Sequence, residues 1–277
     1  MTGISKAEVR ALGPYFGSEI TGLDLSRPLT DADRAAVRDA FAKHLVLVFP
    51  RQDISPAAMK AFAAPYGPFF VHPDEAAKKL DGFPEVIALR KEPQDKHMFG
   101  GSDWHADVTW QRPAGYMTAL HARELPPLGG DTLFASTVAA FSTLSDGLKK
   151  VLRGLDAVHS YEGPGKPEDP ATTAVHPVVR RHPDTGAEGL YVHKMFVTRF
   201  TTMTAEESRP LIDFLAGHII RPEFSYRHRW SKGDMLMWDN RFTLHCPVND
   251  PVSSRRVMHR ISTFEPVAGA ALSQTAA

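Results

Sequence analysis

The chain has 277 residues, with 32 basic and 32 acidic side chains and a formal net charge of +0. No basic excess is available for nucleic acid or an anionic membrane surface, so a small-molecule substrate, or no ligand at all, fits better. A hydrophobic fraction of 43% supports a sizeable core, the single Cys246 excludes an intrachain disulfide, and no apolar run approaches the ~20 residues of a membrane span.

The opening from Met1 to Lys6 has no apolar signal core, so a cytoplasmic location is expected. One domain over residues 1–277 is expected, with 268–277 as a frayed tail. A charge near zero gives little mutual repulsion, which favours self-association.

Taken in chain order, residues 20–29 read as strand followed by turn. Residues 31–43 read as a helix capped by Asp31, with Ala35, Val37, Ala40 and Phe41 as its apolar stripe. Residues 44–49 are an apolar, β-branched strand. A second helix follows over 55–64, with Pro56 in its first turn. Strands are expected over 86–90, 104–110 and 116–122, and helices over 137–142 and 146–155. Two strands, 175–181 and 189–192, flank the turn His182-Pro183-Asp184-Thr185-Gly186. Residues 204–219 form an amphipathic helix with Thr204 as cap and Glu206 and Glu207 in its first turn. The C-terminal third reads as strands at 224–230, 234–239, 242–245 and 256–264. Many strands with a few helices predict a mainly β protein, a jelly roll (double-stranded β-helix) with flanking helices.

Histidine stands out, with 13 residues. Two metal ligands on one strand must be two residues apart to share a face. Three His-x-Asp pairs meet that spacing: His72-Pro73-Asp74, His105-Ala106-Asp107 and His182-Pro183-Asp184. Proline donates no ladder hydrogen bond, so the two pairs centred on proline do not suit a strand. His105 and Asp107, set among strand formers in Trp104–Trp110, have the geometry of a chelate. Non-haem iron oxygenases complete such a pair with a second histidine, and His245, on a distant strand, is the candidate, although a lone histidine on a strand is more often a hydrogen-bonded core residue. Downstream, Arg256, Met258 and Arg260 share one strand face. An inward guanidinium is costly unless it meets an anion, and arginine is suited to carboxylates.

These residues together resemble the taurine dioxygenase / phenoxyacetate dioxygenase (TauD/TfdA) family of Fe(II)- and 2-oxoglutarate-dependent enzymes. The resemblance runs through Leu12–Gly17, Trp104–Thr109, Glu124–Pro126 with Gly129–Leu133, Trp238–Arg241 and Arg255–Arg260. It implies Fe(II) on His105, Asp107 and His245, and 2-oxoglutarate held by Thr132 and Arg256. It also implies a substrate anion met by His72 and Arg260, with Val108 and Phe196 lining the pocket. The implied reaction uses O2 to decarboxylate 2-oxoglutarate to succinate and CO2 while hydroxylating a small organic anion: a sulfonate, a sulfate ester or an aryloxy acid. Gly101, Ser102, Asp103, Glu75 and His193 depart from the taurine enzyme, as does the short Pro- and Gly-rich segment 162–173, so taurine itself is not expected. The family implies a homo-oligomer, dimer or tetramer. The same site of two histidines and one aspartate would also serve a zinc hydrolase, isomerase or lyase on a jelly roll, and a carbohydrate-binding sandwich would need exposed aromatics and no metal. Trp104, Trp110, Trp230 and Trp238 read as core instead, and Cys246 as a small buried residue.

Overall fold

The structure is a computed structural model that describes residues 5–73, 77–95 and 103–266. Asp74, Glu75, Gly101, Ser102 and the 268–277 tail therefore lie outside the described residues.

The elements, in chain order, are β1 (Glu8–Ala11), β2 (Ser18–Thr21), α1 (Asp31–His44), β3 (Val46–Phe49), α2 (Pro56–Ala63), β4 (Lys79–Leu80), β5 (Phe83–Lys91) and β6 (Gly115–Glu124). They continue with β7 (Thr132–Ser136), α3 (Thr137–Ser142), α4 (Asp146–Leu152), β8 (Asp156–Ser160), β9 (Thr173–Pro177), β10 (Val179–Arg181), β11 (Glu188–Leu190) and β12 (Val197–Phe200). The last are α5 (Ala205–Ile219), β13 (Ser225–His228), β14 (Met235–Asp239), β15 (Thr243–Pro247) and β16 (Arg256–Phe264). Eight strands form the larger sheet in the order β1-β2-β3-β14-β6-β16-β5-β4. Smaller sheets run β13-β7-β15 and β12-β8-β9, with β10-β11 as a separate pair. This is the mainly β, jelly-roll architecture with flanking helices that the sequence predicts. Among the described residues no helix is long and apolar enough to cross a membrane.

The larger sheet is apolar on both faces because both are covered. On β3 and β14, Val46, Val48, Leu236 and Trp238 face the smaller sheet and pack with Phe134 of β7. Their neighbours Leu47, Phe49, Met235 and Met237 point the other way, under Phe41 of α1 and Met59 of α2. A further core joins α3 and α5 to β7, β8, β12 and β15.

Local chemistry sets the boundaries. The cap of α1 is Thr30, not Asp31: Thr30 is extended and its side chain accepts from Asp33 N, which leaves Asp31 as an acidic first-turn residue. Ser55 caps α2 ahead of Pro56, and Thr204 and Glu207 form a reciprocal capping box on α5. The expected strand over 20–29 stops at Thr21. Gly22 turns left-handed at φ +82, and Asp24 folds back onto Ser26 N at 3.0 Å. The expected strand 175–181 is two, broken at Val178, whose N–H leaves the ladder for Leu155 O at 2.9 Å. Periodicity gives no sign of β1, β4, β7, β8 or β12, each five residues or fewer, too short to show a pattern.

The largest correction concerns 104–110, which is not a strand. His105 makes a single antiparallel bridge to His245, and the chain then turns, with Val108 at φ 55. Asp107 N donates to Asn240 Oδ1 at 2.9 Å instead of to a neighbouring strand.

Candidate metal centre

The bridge does what the strand was expected to do. His105 N donates to His245 O at 2.9 Å and His245 N to His105 O at 2.8 Å. The pairing sets the two imidazoles side by side, with centroids 4.2 Å apart. The turn then brings Asp107 Oδ1 to 3.7 Å from His105 Nε2 and 3.8 Å from His245 Nε2. One ligand atom from each of the three residues lies within 4.8 Å of the others, and among the described residues no other His/Cys/Asp/Glu group of three meets that test. One ion about 2 Å from each atom is spanned by such a set.

Protonation states also suit a cation. Burial pushes both imidazoles below their ordinary pKa, and the neighbouring His105 further opposes a charge on His245. They are neutral donors at physiological pH. The Nδ1–H of His105 donates to Asp103 O at 2.8 Å, since a carbonyl can only accept, which leaves the Nε2 lone pair free on the side of Asp107. His245 Nδ1 is buried, with no hydrogen-bond partner among the described residues. Burial alone would raise the Asp107 carboxyl, but the Arg260 guanidinium above all, with the Thr118 hydroxyl, outweighs it and holds it well below the usual carboxylate range. Two neutral nitrogens and one ionised carboxylate are a set suited to a divalent transition metal.

Asp107 is held from behind. Thr118 Oγ1 donates to its Oδ2 at 2.8 Å. Asn240 Nδ2 donates in turn to Thr118 Oγ1 at 3.0 Å and to Tyr116 O at 3.2 Å, while its Oδ1 also accepts from Trp238 Nε1 at 3.1 Å. Ser262 Oγ lies 2.9 Å from Thr118 Oγ1 and accepts from Arg260 Nε at 3.3 Å; Asn240, Thr118 and Ser262 were not singled out by the sequence. The signal for Asn240 was present in Trp238-Asp239-Asn240-Arg241, but a backbone-to-side-chain bond across 133 residues has no pattern to read.

The arginine face is as expected. Arg256, Met258 and Arg260 are buried while Arg255 is exposed. Arg260 Nη2 lies 3.0 Å from Asp107 Oδ1, so this residue, expected to meet substrate, is also the counter-charge of a ligand carboxylate. Arg256 is 3% exposed. Its Nε donates to Gly130 O at 3.1 Å, and burial lowers its pKa to about 10. Thr132, two residues after Gly130, accepts from Trp230 Nε1 at 3.1 Å. Its lone pair is thereby engaged and its O–H remains a donor.

Val108 and Phe196 fall in one apolar cluster with Phe70, which the sequence did not single out, and Trp110, which it placed only in the core. Phe196 meets His105 edge-on at 6.4 Å, which puts this cluster beside the triad. His72 packs edge-on against Phe70 at 5.6 Å. The other described His-x-Asp pair is a turn: His182 Nδ1 accepts the N–H of Asp184 at 3.2 Å. All four tryptophans are buried or half-buried, so none of them supplies the exposed platform that the carbohydrate-binding reading needs. Cys246 is half-buried, with burial pushing its thiol up to about 11, which disfavours the thiolate form that a nucleophile needs.

A jelly roll carrying two neutral histidines and one carboxylate around a point, with a buried guanidinium nearby, defines the class of mononuclear metal enzymes with a facial triad. Comparison with known proteins narrows it. Residues 8–262 match the family model described as "Taurine catabolism dioxygenase TauD, TfdA family", and the chain belongs to that family. An alkylsulfatase of Acinetobacter baylyi is 31% identical over 92% of this chain and 84% of its own. An alpha-ketoglutarate-dependent sulfate ester dioxygenase of Pseudomonas putida is 32% identical over 92% and 88%. A crystal structure of a taurine dioxygenase from Burkholderia xenovorans superposes with a TM-score of 0.83 at 31% identity, covering 95% of this chain and 91% of that one.

Proposed function

We propose that the protein is an Fe(II)- and 2-oxoglutarate-dependent dioxygenase that hydroxylates a small organic anion. The observation that carries this is the pairing of a buried His105–Asp107–His245 triad with a buried guanidinium, Arg256, that has no carboxylate within ion-pair range among the described residues. A dicarboxylate cosubstrate accounts for both. A zinc hydrolase, isomerase or lyase leaves Arg256 unexplained, and the relatives' names do not favour it.

In this reading the two Nε2 atoms and Asp107 hold the iron. Arg256 grips the distal carboxylate of 2-oxoglutarate and the Thr132 hydroxyl donates to it. Bound there, iron with 2-oxoglutarate and O2 supplies the oxidising chemistry, which yields succinate, CO2 and a hydroxylated substrate. Arg260 and His72 hold the substrate anion. Phe70, Val108, Trp110 and Phe196 wall off water and set the substrate's C–H side. Arg260 has a double duty: with a divalent cation on Asp107 Oδ1, the carboxylate no longer needs its guanidinium as sole counter-charge, and the fork can turn to an anion. Sulfate esters, sulfonates and aryloxy acids are the substrate classes; the two relatives named above favour the first. The near-zero net charge supports a homo-oligomer, and the single cysteine a cytoplasmic location.

Anaerobic addition of 2-oxoglutarate to the Fe(II)-loaded protein should give a visible charge-transfer band. Admitting O2 with a panel of sulfate esters, sulfonates and aryloxy acids should give substrate-dependent succinate. Absence of the band would remove the cosubstrate assignment, and succinate release indifferent to every panel member would remove the anion assignment.

A further inference from the structure

A second basic cleft lies away from the triad, between the loop after Trp110, strands β9 and β10, and the end of β16. It has a volume of about 270 Å³ and is lined by Arg112, His176, Arg180, Arg181 and Glu265. Glu265 is the one carboxylate in this lining, and it is already engaged: Arg180 Nη2 lies 2.6 Å from its Oε1 and Arg241 Nη1 lies 3.9 Å away. With Arg241 and its own partner Asp239 behind the wall, four guanidiniums meet two carboxylates. Glu188, across the β10–β11 pair from Arg181, is taken by both arms of Arg153 at 2.9 and 2.7 Å.

Arg180 is set as a receptor group. Its guanidinium lies 4.8 Å over the Tyr191 ring and is tied by Glu265, so the fork is fixed before anything binds. Its Nη1 is buried beside Tyr191, which leaves the exposed Arg112 and Arg181 as the open donors of the cleft. The positive field is felt by His176, whose pKa falls to about 4 through burial and then Arg180 and Arg112.

We propose that this cleft is a second anion site, taking a small oxyanion or carboxylate between Arg112, Arg180 and Arg181 and coupled to the metal loop. The coupling route is short. His176 Nε2 donates to Thr109 O at 2.9 Å, two residues beyond Asp107. Glu265 N donates to Ala114 O at 2.9 Å, at the end of the same loop. Arg241, which reaches Glu265, follows Asn240, whose side chain holds Asp107 N. An anion that shares the fixed Arg180 fork with Glu265 weakens that ion pair and therefore acts on elements that position a metal ligand.

The test uses calorimetric titration of inorganic phosphate, sulfate or succinate into protein loaded with Mn(II) and N-oxalylglycine, so that Arg256 is already occupied. Arg112 and Arg181 are exposed, so Arg112→Gln with Arg181→Gln should leave the melting temperature and basal turnover unchanged. The double variant should bind the probe about tenfold or more weakly, each lost charge-assisted contact being worth a factor of that order. Equal affinity in wild type and variant, or no binding to either, overturns the site. Saturating probe should also shift Mn(II) affinity in the wild type and not in the variant; an Mn(II) affinity indifferent to the probe overturns the coupling.

Discussion

Replacing Arg256 by methionine separates two consequences of one guanidinium. Arg256 is 3% exposed, and among the described residues its side-chain hydrogen bond goes to Gly130 O. Burial depresses its pKa from 12.5 to about 10. For a base, a folded-state pKa below the unfolded one penalises the charged form at every pH below the folded value, so at neutral pH the whole penalty is present. At about 1.4 kcal/mol per pKa unit it is roughly 3 kcal/mol. Methionine fills much of the same space without the charge. The apoprotein should therefore be as stable as wild type or up to ~3 kcal/mol more stable, as for other buried charges replaced by apolar groups. The 2-oxoglutarate affinity should fall by ~2–5 kcal/mol, because the variant leaves a buried carboxylate without its partner. Urea unfolding of the metal-free protein gives the first quantity, and anaerobic titration of 2-oxoglutarate into the Mn(II) form gives the second. Cosubstrate affinity within about twofold of wild type, a difference well under 1 kcal/mol, would refute the role of Arg256. Apoprotein destabilised by the ~3–5 kcal/mol of a broken buried ion pair would refute the unpaired state on which the magnitude rests.

Gly130→Ala should weaken 2-oxoglutarate binding about tenfold or more while sparing Mn(II) affinity: Gly130 is left-handed at φ +76, and a Cβ there meets Arg256 Cδ at 2.8 Å and Nε at 2.9 Å. Asn240→Ala removes the acceptor of Asp107 N and the donor to Thr118 Oγ1; it should destabilise the fold by ~2–4 kcal/mol, read by urea unfolding, and weaken Mn(II) binding about 10- to 100-fold. Acid should destabilise the protein through His159 and His176, both driven below their ordinary pKa by burial first, His159 then by the neighbouring histidines His193 and His176, and His176 then by Arg180, to about 4. Because the unfolded state takes up the proton first, the contribution of His176 is complete above about pH 6.5 and is lost as pH falls from there towards 4, and that of His159 is lost in the same direction. His176→Gln should flatten the slope of stability in that window by up to about 1.4 kcal/mol per pH unit; an unchanged slope would show that His176 is protonated in the fold.

The three side chains that the fold brings around one point, and the face of β16 on which two arginines are buried, were legible in the order of residues alone. Those features are local: a His-x-Asp pair free of proline, a period of two along Arg256–Arg260, and turn residues that force a reversal whatever surrounds them. The class of fold was legible too, because the unbroken apolar runs of β3 and β14 record that both faces of the sheet are covered. The remainder depends on partners distant in the chain. His105 and Asp107 converge without a strand because His245, 140 positions further on, supplies the bridge and Asn240 takes the amide that a ladder would have used. Arg260 could be read as an inward charge, but not as the counter-ion of Asp107, since an ion pair leaves no spacing in the sequence. Phe70 and Trp110 join Val108 and Phe196 from separate segments, and burial, which sets the protonation of the whole site, belongs to the packed chain alone.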